Sequence, residues 1–245
     1  MPTLDFKGKQ FVYSHHLSVP FRELKIDAAR SLPGKAGLSL DDNLIIHGDN
    51  LHALKALLPK YAGKVDVIYI DPPYNTGNEG WAYNDNVNSP LMKEWLGTVV
   101  DGEDLERHDK WCCMMWPRLV LLRELLKPTG AIVVNIDDTE VGNLRKLLDE
   151  IFGIENFVSN VVWQKKYSPQ NDAKLFSAMH DHLLVYSRDI ENLKLNALPR
   201  TEKQDKAYKN HDDDPRGPWK STDSTCNKSR AVSYTHLTLP TIYSV

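Results

Sequence analysis

The run "VDVIYIDPPYNTGNEG" puts an acid, two prolines and a tyrosine, Asp71, Pro72, Pro73 and Tyr74, directly after an apolar, β-branched segment. Consecutive prolines fix two φ angles and remove two N–H donors, so a stiff loop presents the Asp71 and Pro72 carbonyls. The Asp71 carboxylate and the Pro72 carbonyl can together accept both hydrogens of an exocyclic amine, while the Tyr74 ring offers a flat face for stacking. That chemistry suits a planar heterocycle carrying an amino group. Asn75, next in the chain, is counted with the substrate-binding residues. A bare Asp-Pro-Pro triplet reads better as a strand stop with an aromatic on the surface. The full tetrad after a buried strand, followed by Asn75-Thr76-Gly77, favours a site.

Such a loop needs a scaffold, and the sequence supplies a repeating α/β pattern from Asn43 onward. "NLIIHGDN" reads as a short strand closing in a turn, and "LHALKALLPKYAG" has helical spacing with Pro59 and Gly63 to end it. After the 65–70 strand and a polar stretch, "WCCMMWPRLVLLRELLKPTG" predicts a long helix, bent or begun near Pro117 and stopped at the Lys-Pro-Thr-Gly. "AIVVNIDD" is a further strand. "TEVGNLRKLLDEIFG" is a helix with Thr139 as N-cap, and "NFVSNVVWQKK" and "HDHLLVYSRD" are strands. Apolar strands alternating with helices predict α/β architecture, a mostly parallel sheet covered on both faces. Ligands of such sheets sit at the carboxyl ends of strands, where Asp71 and Asp137 fall. The polar segment from Asn75 to His108 reads as a lid or binding loop.

Length and composition bound the rest. A chain of 245 residues accommodates one large domain, or one domain and part of another. A net charge of -3 does not describe a protein that coats nucleic acid wholesale, and leaves open a local basic face. No apolar run approaches a membrane span and the N-terminus lacks the apolar core of a secretion signal, so the chain reads as cytoplasmic with no membrane partner. Of the three cysteines, Cys112 and Cys113 are adjacent and Cys226 stands alone, which gives no metal framework.

"DPPYNTG" resembles the catalytic motif of DNA amino-methyltransferases, and the flanking text is similar to the modification subunit of type III restriction-modification systems. The similarity runs through "TLDFKGKQFVYSHHL", "LIIHGDNLHALKALLPKYAGKVDVIYIDPPYNTG", "MMWPRLVLLRELLKPTGAIVVNIDD", "NVVWQKKYSPQND", "HDHLLVYSRD" and "RGPWKSTD". The resemblance implies a Rossmann-like S-adenosylmethionine-dependent fold and methylation of N6 of adenine in double-stranded DNA. It also implies a restriction subunit and a second modification subunit as partners. Asp71, Pro72, Pro73 and Tyr74 take the catalytic positions. "HGDN" resembles the cofactor-adenine segment, with Asp49 as acceptor and Asn50 opening the next helix; an ordinary Gly-Asp turn capping a helix explains these residues as well. "VVWQKKYSPQND" resembles the second wall of the base pocket, supplied by Tyr167 or Trp163, although a Trp in a strand is more often core. Lys165 and Lys166 suit either phosphate contact or a solvated strand end.

N4 of cytosine is the alternative acceptor, since the same two oxygens hold either amine; a noncatalytic DNA-binding or assembly fragment is the alternative from another class. His180 and His182 share a strand face as half of a metal site, with no third ligand at a convincing spacing. Asp137 and Asp138 fit capping or an indirect role better than metal chemistry.

The sequence departs from the family in one respect: the Phe-x-Gly-x-Gly turn that cradles the methyl donor is missing. The ending "AVSYTHLTLPTIYSV" is unlike the family and reads as a non-native tail. The expected organisation is therefore an N-terminal extension at 1–42, a partial catalytic domain at 43–195, the start of a target-recognition region at 196–230 and the tail at 231–245. In the family's fold the missing turn's strand neighbours "VDVIYI", so an exposed sheet edge and poor solubility are expected.

Overall fold

The computed structural model describes residues 3–34, 37–77, 81–82, 99–100, 106–168, 177–196 and scattered positions between 199 and 217. Most of the expected lid, the "RGPW" segment apart from Gly217, about two thirds of the 196–230 region and the whole 231–245 tail lie outside the described residues. Contacts divide the chain into Met1–Lys194 and Leu195–Val245. The elements all belong to the first unit.

Helices α1 (Lys9–Val12), α2 (His15–Ser18), α3 (Asn50–Tyr61), α4 (Arg107–Leu125) and α5 (Val141–Phe152) accompany strands β1 (Val65–Ile70), β2 (Trp81–Ala82), β3 (Val99–Val100), β4 (Leu126–Ile136), β5 (Phe157–Gln164) and β6 (His180–Ser187). The main sheet is open, in the order β1-β4-β6-β5; β2 and β3 form a separate two-stranded pair. The α/β class is as expected, but the sheet is mixed. Only β1 and β4 are parallel, because β6 returns antiparallel between β4 and β5. An apolar strand reads the same in either direction, so the residue pattern could not show this.

α4 is the central element. Trp111, Cys112, Cys113, Met115, Trp116, Leu119, Leu121, Leu122 and Leu125 are all buried, which is too many for one stripe, and the helix touches α1, α2, α3 and α5. It begins at Arg107 and runs through Pro117 without stopping; α3 likewise contains Pro59 near its end, where one lost hydrogen bond is cheap. α5 buries Leu144, Leu147, Leu148 and Phe152 on one face. Thr139 does not cap α5. Its N–H is bonded to the Asp137 carboxylate at 2.9 Å, and Glu140 occupies the cap position without a capping side-chain bond.

Paired residues of neighbouring strands share a face. Ile68, Ile132 and Tyr186 form one row and Ile70, Val134 and Leu184 the next, and both rows belong to the helix-covered core. The opposite face carries Tyr69, Val133 and Val185, with Val67 64% and Tyr69 61% exposed. The described helices therefore cover one face rather than two. β1 is an edge strand whose outer side has no partner among the described residues. Residues 43–48 do not form the expected strand, and Ile45 is fully exposed. A strand needs a pairing neighbour to satisfy its backbone groups, and 43–48 pairs with no strand among the described residues.

Gly130 is required at the irregularity in the β1–β4 pairing, just before Ala131. A Cβ at this position would stand 2.8 Å from the Val65 carbonyl oxygen and 2.9 Å from that of Asp66. The close approach lies where the pairing shifts, ahead of the regular register from Val67↔Ala131 to Ile70↔Val134.

The 1–42 segment does not stand apart from the rest of its unit. Phe6 and Val12 join the core, Trp116 Nε1 donates to the Tyr13 carbonyl at 3.1 Å, and Lys9 pairs with Glu150 at 2.8 Å. No described helix is long and apolar enough to cross a membrane.

Candidate active site

The DPPY loop leaves the carboxyl end of β1 beside the carboxyl end of β4, since the two strands are parallel and in register from Val67 and Ala131 onward. This geometry brings Asn135 of β4 under the loop. Its Nδ2 donates to Asp71 Oδ1 at 3.2 Å and to the Tyr74 hydroxyl. One amide thus fixes the carboxylate and the aromatic ring relative to each other. Burial, and secondarily the adjacent Asp71 carboxylate, pushes the Tyr74 hydroxyl far above its ordinary range, so the phenol stays protonated. Asn135 Oδ1 is buried and has no partner among the described residues.

The two proline carbonyls have different fates. Pro73's accepts from Trp111 Nε1 on α4 at 2.6 Å, which ties the loop to the most buried helix of the fold. Pro72's has no partner among the described residues, and Asp71 itself is exposed. A rigid loop therefore offers one carboxylate and one carbonyl outward, the arrangement an amine with two hydrogens requires.

Asn75 sits elsewhere than the sequence reading implied. It is 1% exposed, adopts a left-handed φ of 60°, and donates through Nδ2 to Glu140 Oε1. Asn tolerates that conformation better than most residues. Its side chain is committed to an anchor inside the protein rather than turned toward a ligand. Glu140 is fully buried and also accepts from His108 Nδ1 at 2.6 Å and Asn143 Nδ2 at 2.8 Å. Burial pushes its carboxyl pKa upward, and the bonds from Asn75, Asn143 and His108 oppose that shift.

The remaining candidates are more scattered. Asp49 is the N-cap of α3, with Oδ1 accepting from Leu51 N at 2.9 Å and His52 N at 3.1 Å, while Oδ2 has no partner among the described residues. Asn50 accepts from Arg118 Nε at 2.7 Å. Trp163 is 60% exposed, on the open face of the sheet with Asn135 but two strands away, about 10 Å across. Tyr167 is 84% exposed. Lys165 is paired with Asp181 at 2.5 Å, which weakens its candidacy for phosphate.

Asn135, Trp111 and Glu140 were not singled out by sequence reasoning. The one signal was the polar residue near the end of "AIVVNIDD", on the face opposite the core.

Residues 65–238 match the model of a family described as DNA methylase. The chain is 39% identical over 199 residues to the StyLTI Mod subunit of a type III restriction-modification enzyme from Salmonella typhimurium, covering 76% of this chain and 30% of that protein. It is 37% identical over 193 residues to the EcoPI Mod subunit of Escherichia phage P1, covering 74% and 30% respectively. A similar match, 37% over 164 residues, is to the EcoP15I Mod subunit of Escherichia coli, covering 62% and 25%. The chain thus spans less than a third of the length of these relatives.

Proposed function

Because this chain belongs to the DNA methylase family, we propose that it is the catalytic part of a DNA methyltransferase that methylates N6 of adenine within a type III restriction-modification system. The observation that carries the reading is the joint hold of Asn135 on Asp71 and Tyr74 beside an unengaged Pro72 carbonyl.

Adenine inside a duplex does not expose its amine, so the base flips out at a cost of a few kcal/mol. Stacking on Tyr74 returns about 1–3 kcal/mol. Asp71 accepts one amine hydrogen and the Pro72 carbonyl the other, which draws the nitrogen lone pair out of conjugation with the ring. The same oxygens stabilise positive charge as it builds on nitrogen, and exposed Asp71 holds the surplus proton until water removes it. Trp111 and Glu140 act through the loop: one fixes the Pro73 carbonyl, the other fixes Asn75, and both keep the outward oxygens in place. Trp163 and Tyr167 supply the far wall of the base pocket.

S-adenosylmethionine supplies the electrophilic methyl group when bound. The residues present suit part of it. Asp49 keeps Oδ2 free after capping α3, an acceptor for the donor's adenine amine, and Asn50 keeps its amide N–H groups after its oxygen is taken by Arg118. A restriction subunit and a second modification subunit are the assembly partners in this reading, and the cytoplasm is the compartment.

The test is to incubate the chain with DNA and methyl-tritiated S-adenosylmethionine, digest to nucleosides and separate them. Label in N6-methyladenine supports the proposal. Label in N4-methylcytosine corrects the base, and DNA binding without transfer points to the noncatalytic alternative.

A further inference from the structure

Asp138, His180 and His182 form the one group of histidine and acidic side chains among the described residues with the geometry to hold a metal ion, their ligand atoms all within 4.8 Å of one another. The two histidines alternate along β6, and their rings meet edge to face at 5.1 Å. Asp138 comes from the loop between β4 and α5, and its Oδ1 lies 2.9 Å from His182 Nε2. The third ligand is therefore contributed across the sheet, from forty-four residues upstream. His182 pairs with Ile136, a core-face residue, so the cluster lies on the face opposite Asn135 and is separate from the DPPY loop.

We propose that Asp138, His180 and His182 bind one divalent transition-metal ion, with zinc as the best fit. Two donor atoms each about 2.1 Å from an ion stand about 3.0–3.4 Å apart at right to tetrahedral angles, so Asp138 and His182 are already near chelating separation. The other ligand atoms lie within 4.8 Å, wider than the about 3.4 Å between tetrahedral ligands, so a side-chain rotation toward the ion is needed to close the set. Two imidazoles and a carboxylate suit zinc, cobalt(II) or nickel(II), and not the all-oxygen preference of calcium or magnesium. The Asp138 side chain is 70% exposed, which leaves water to fill the remaining position.

The neighbour of His182 strengthens the assignment. Asn160 on β5 places Nδ2 3.1 Å and Oδ1 3.2 Å from His182 Nδ1. Without metal, His182 Nε2–H donates to Asp138 and Nδ1 accepts from the Asn160 amide. With metal, the ion takes the Nε2 lone pair, the ring proton moves to Nδ1, and Asn160 Oδ1 accepts it. Either tautomer is satisfied and the neutral ring loses no proton, as is usual for a histidine ligand held by a second partner.

The experiment is a competition titration of the 245-residue chain, stripped by chelator, with Zn²⁺ against a chromophoric chelator, together with thermal melts with and without zinc. One zinc per chain is expected, with affinity reduced at least about tenfold in Asp138→Ala and His182→Ala and about tenfold in Asn160→Ala. Zinc should raise the melting temperature of the wild type but not of Asp138→Ala, and His52→Ala should behave as wild type. Absence of binding, or binding that Asp138→Ala leaves unchanged, overturns the proposal. Asp138 is exposed, so its variant decides the matter even if His182→Ala does not fold.

Discussion

Asn75 and Glu140 are joined by a hydrogen bond between two buried side chains sixty-five residues apart, and the bond holds the end of the DPPY loop against the start of α5. Replacing Glu140 by Leu leaves Asn75, His108 and Asn143 with donors turned toward an apolar group. His108 and Asn143 can turn to water, so the penalty rests on the buried Asn75, and a loss of about 1–3 kcal/mol is expected in urea unfolding. A loss below 0.5 kcal/mol, on the scale of a neutral surface change, would mean the network does not anchor the loop.

The same carboxylate carries a pH signature. Burial raises its pKa above the unfolded value, so its contribution favours the folded state at low pH and is lost as pH rises through the folded pKa. The stability of wild type relative to Glu140→Gln should therefore fall as pH is raised from about 4 to 7, because Gln does not ionise. Paired unfolding curves across that range, run also in a His108→Gln background, check the sign; a rising difference refutes it.

Trp111→Phe keeps one aromatic ring and removes the pyrrole half of the indole, and with it the donor to the Pro73 carbonyl and some buried volume. A cost of about 1–2 kcal/mol in stability is expected. In methyl transfer kcat should fall more than DNA affinity, since the altered contact lies beneath the loop. Equal effects on both would argue against positioning.

Asp71→Ala should leave thermal stability nearly unchanged, its carboxylate being exposed, and reduce methyl transfer at least about a hundredfold. Intact turnover with correct folding would remove Asp71 from the mechanism.

Val67 and Tyr69 lie on the uncovered face of β1, an edge strand whose outer side has no partner among the described residues. Val67→Lys should lower self-association, read by sedimentation velocity, at little cost in stability. Unchanged association would place the sticky surface elsewhere.

The contrast between what could be read from residues and what could not follows from range. Continuous apolar runs identified β1, β4 and β6, and the acid-proline loop marked itself as a candidate site, because each signal is local. Asn135, Trp111 and Glu140 were missed since they act on residues 61, 38 and 65 positions away. Thr139 carried the right chemistry for a cap, but the carboxylate two residues earlier took its N–H. The segment at 43–48 has the composition of a strand but pairs with none among the described residues, a condition no window along the chain can reveal. Asp49 illustrates the converse: its capping role follows from sequence alone.

The parallel pairing of β1 with β4 also orders events during synthesis. Ile70 aligns with Val134, so the loop that follows β1 has no floor until the chain has grown by more than sixty residues. At translation rates of about 5–20 residues per second, the Asp71–Tyr74 tetrad exists for about 3–13 s without its β4 neighbour. Over that interval α4 can form first, so that β4 arrives with Trp111 already in position and the loop sets against a surface made after it.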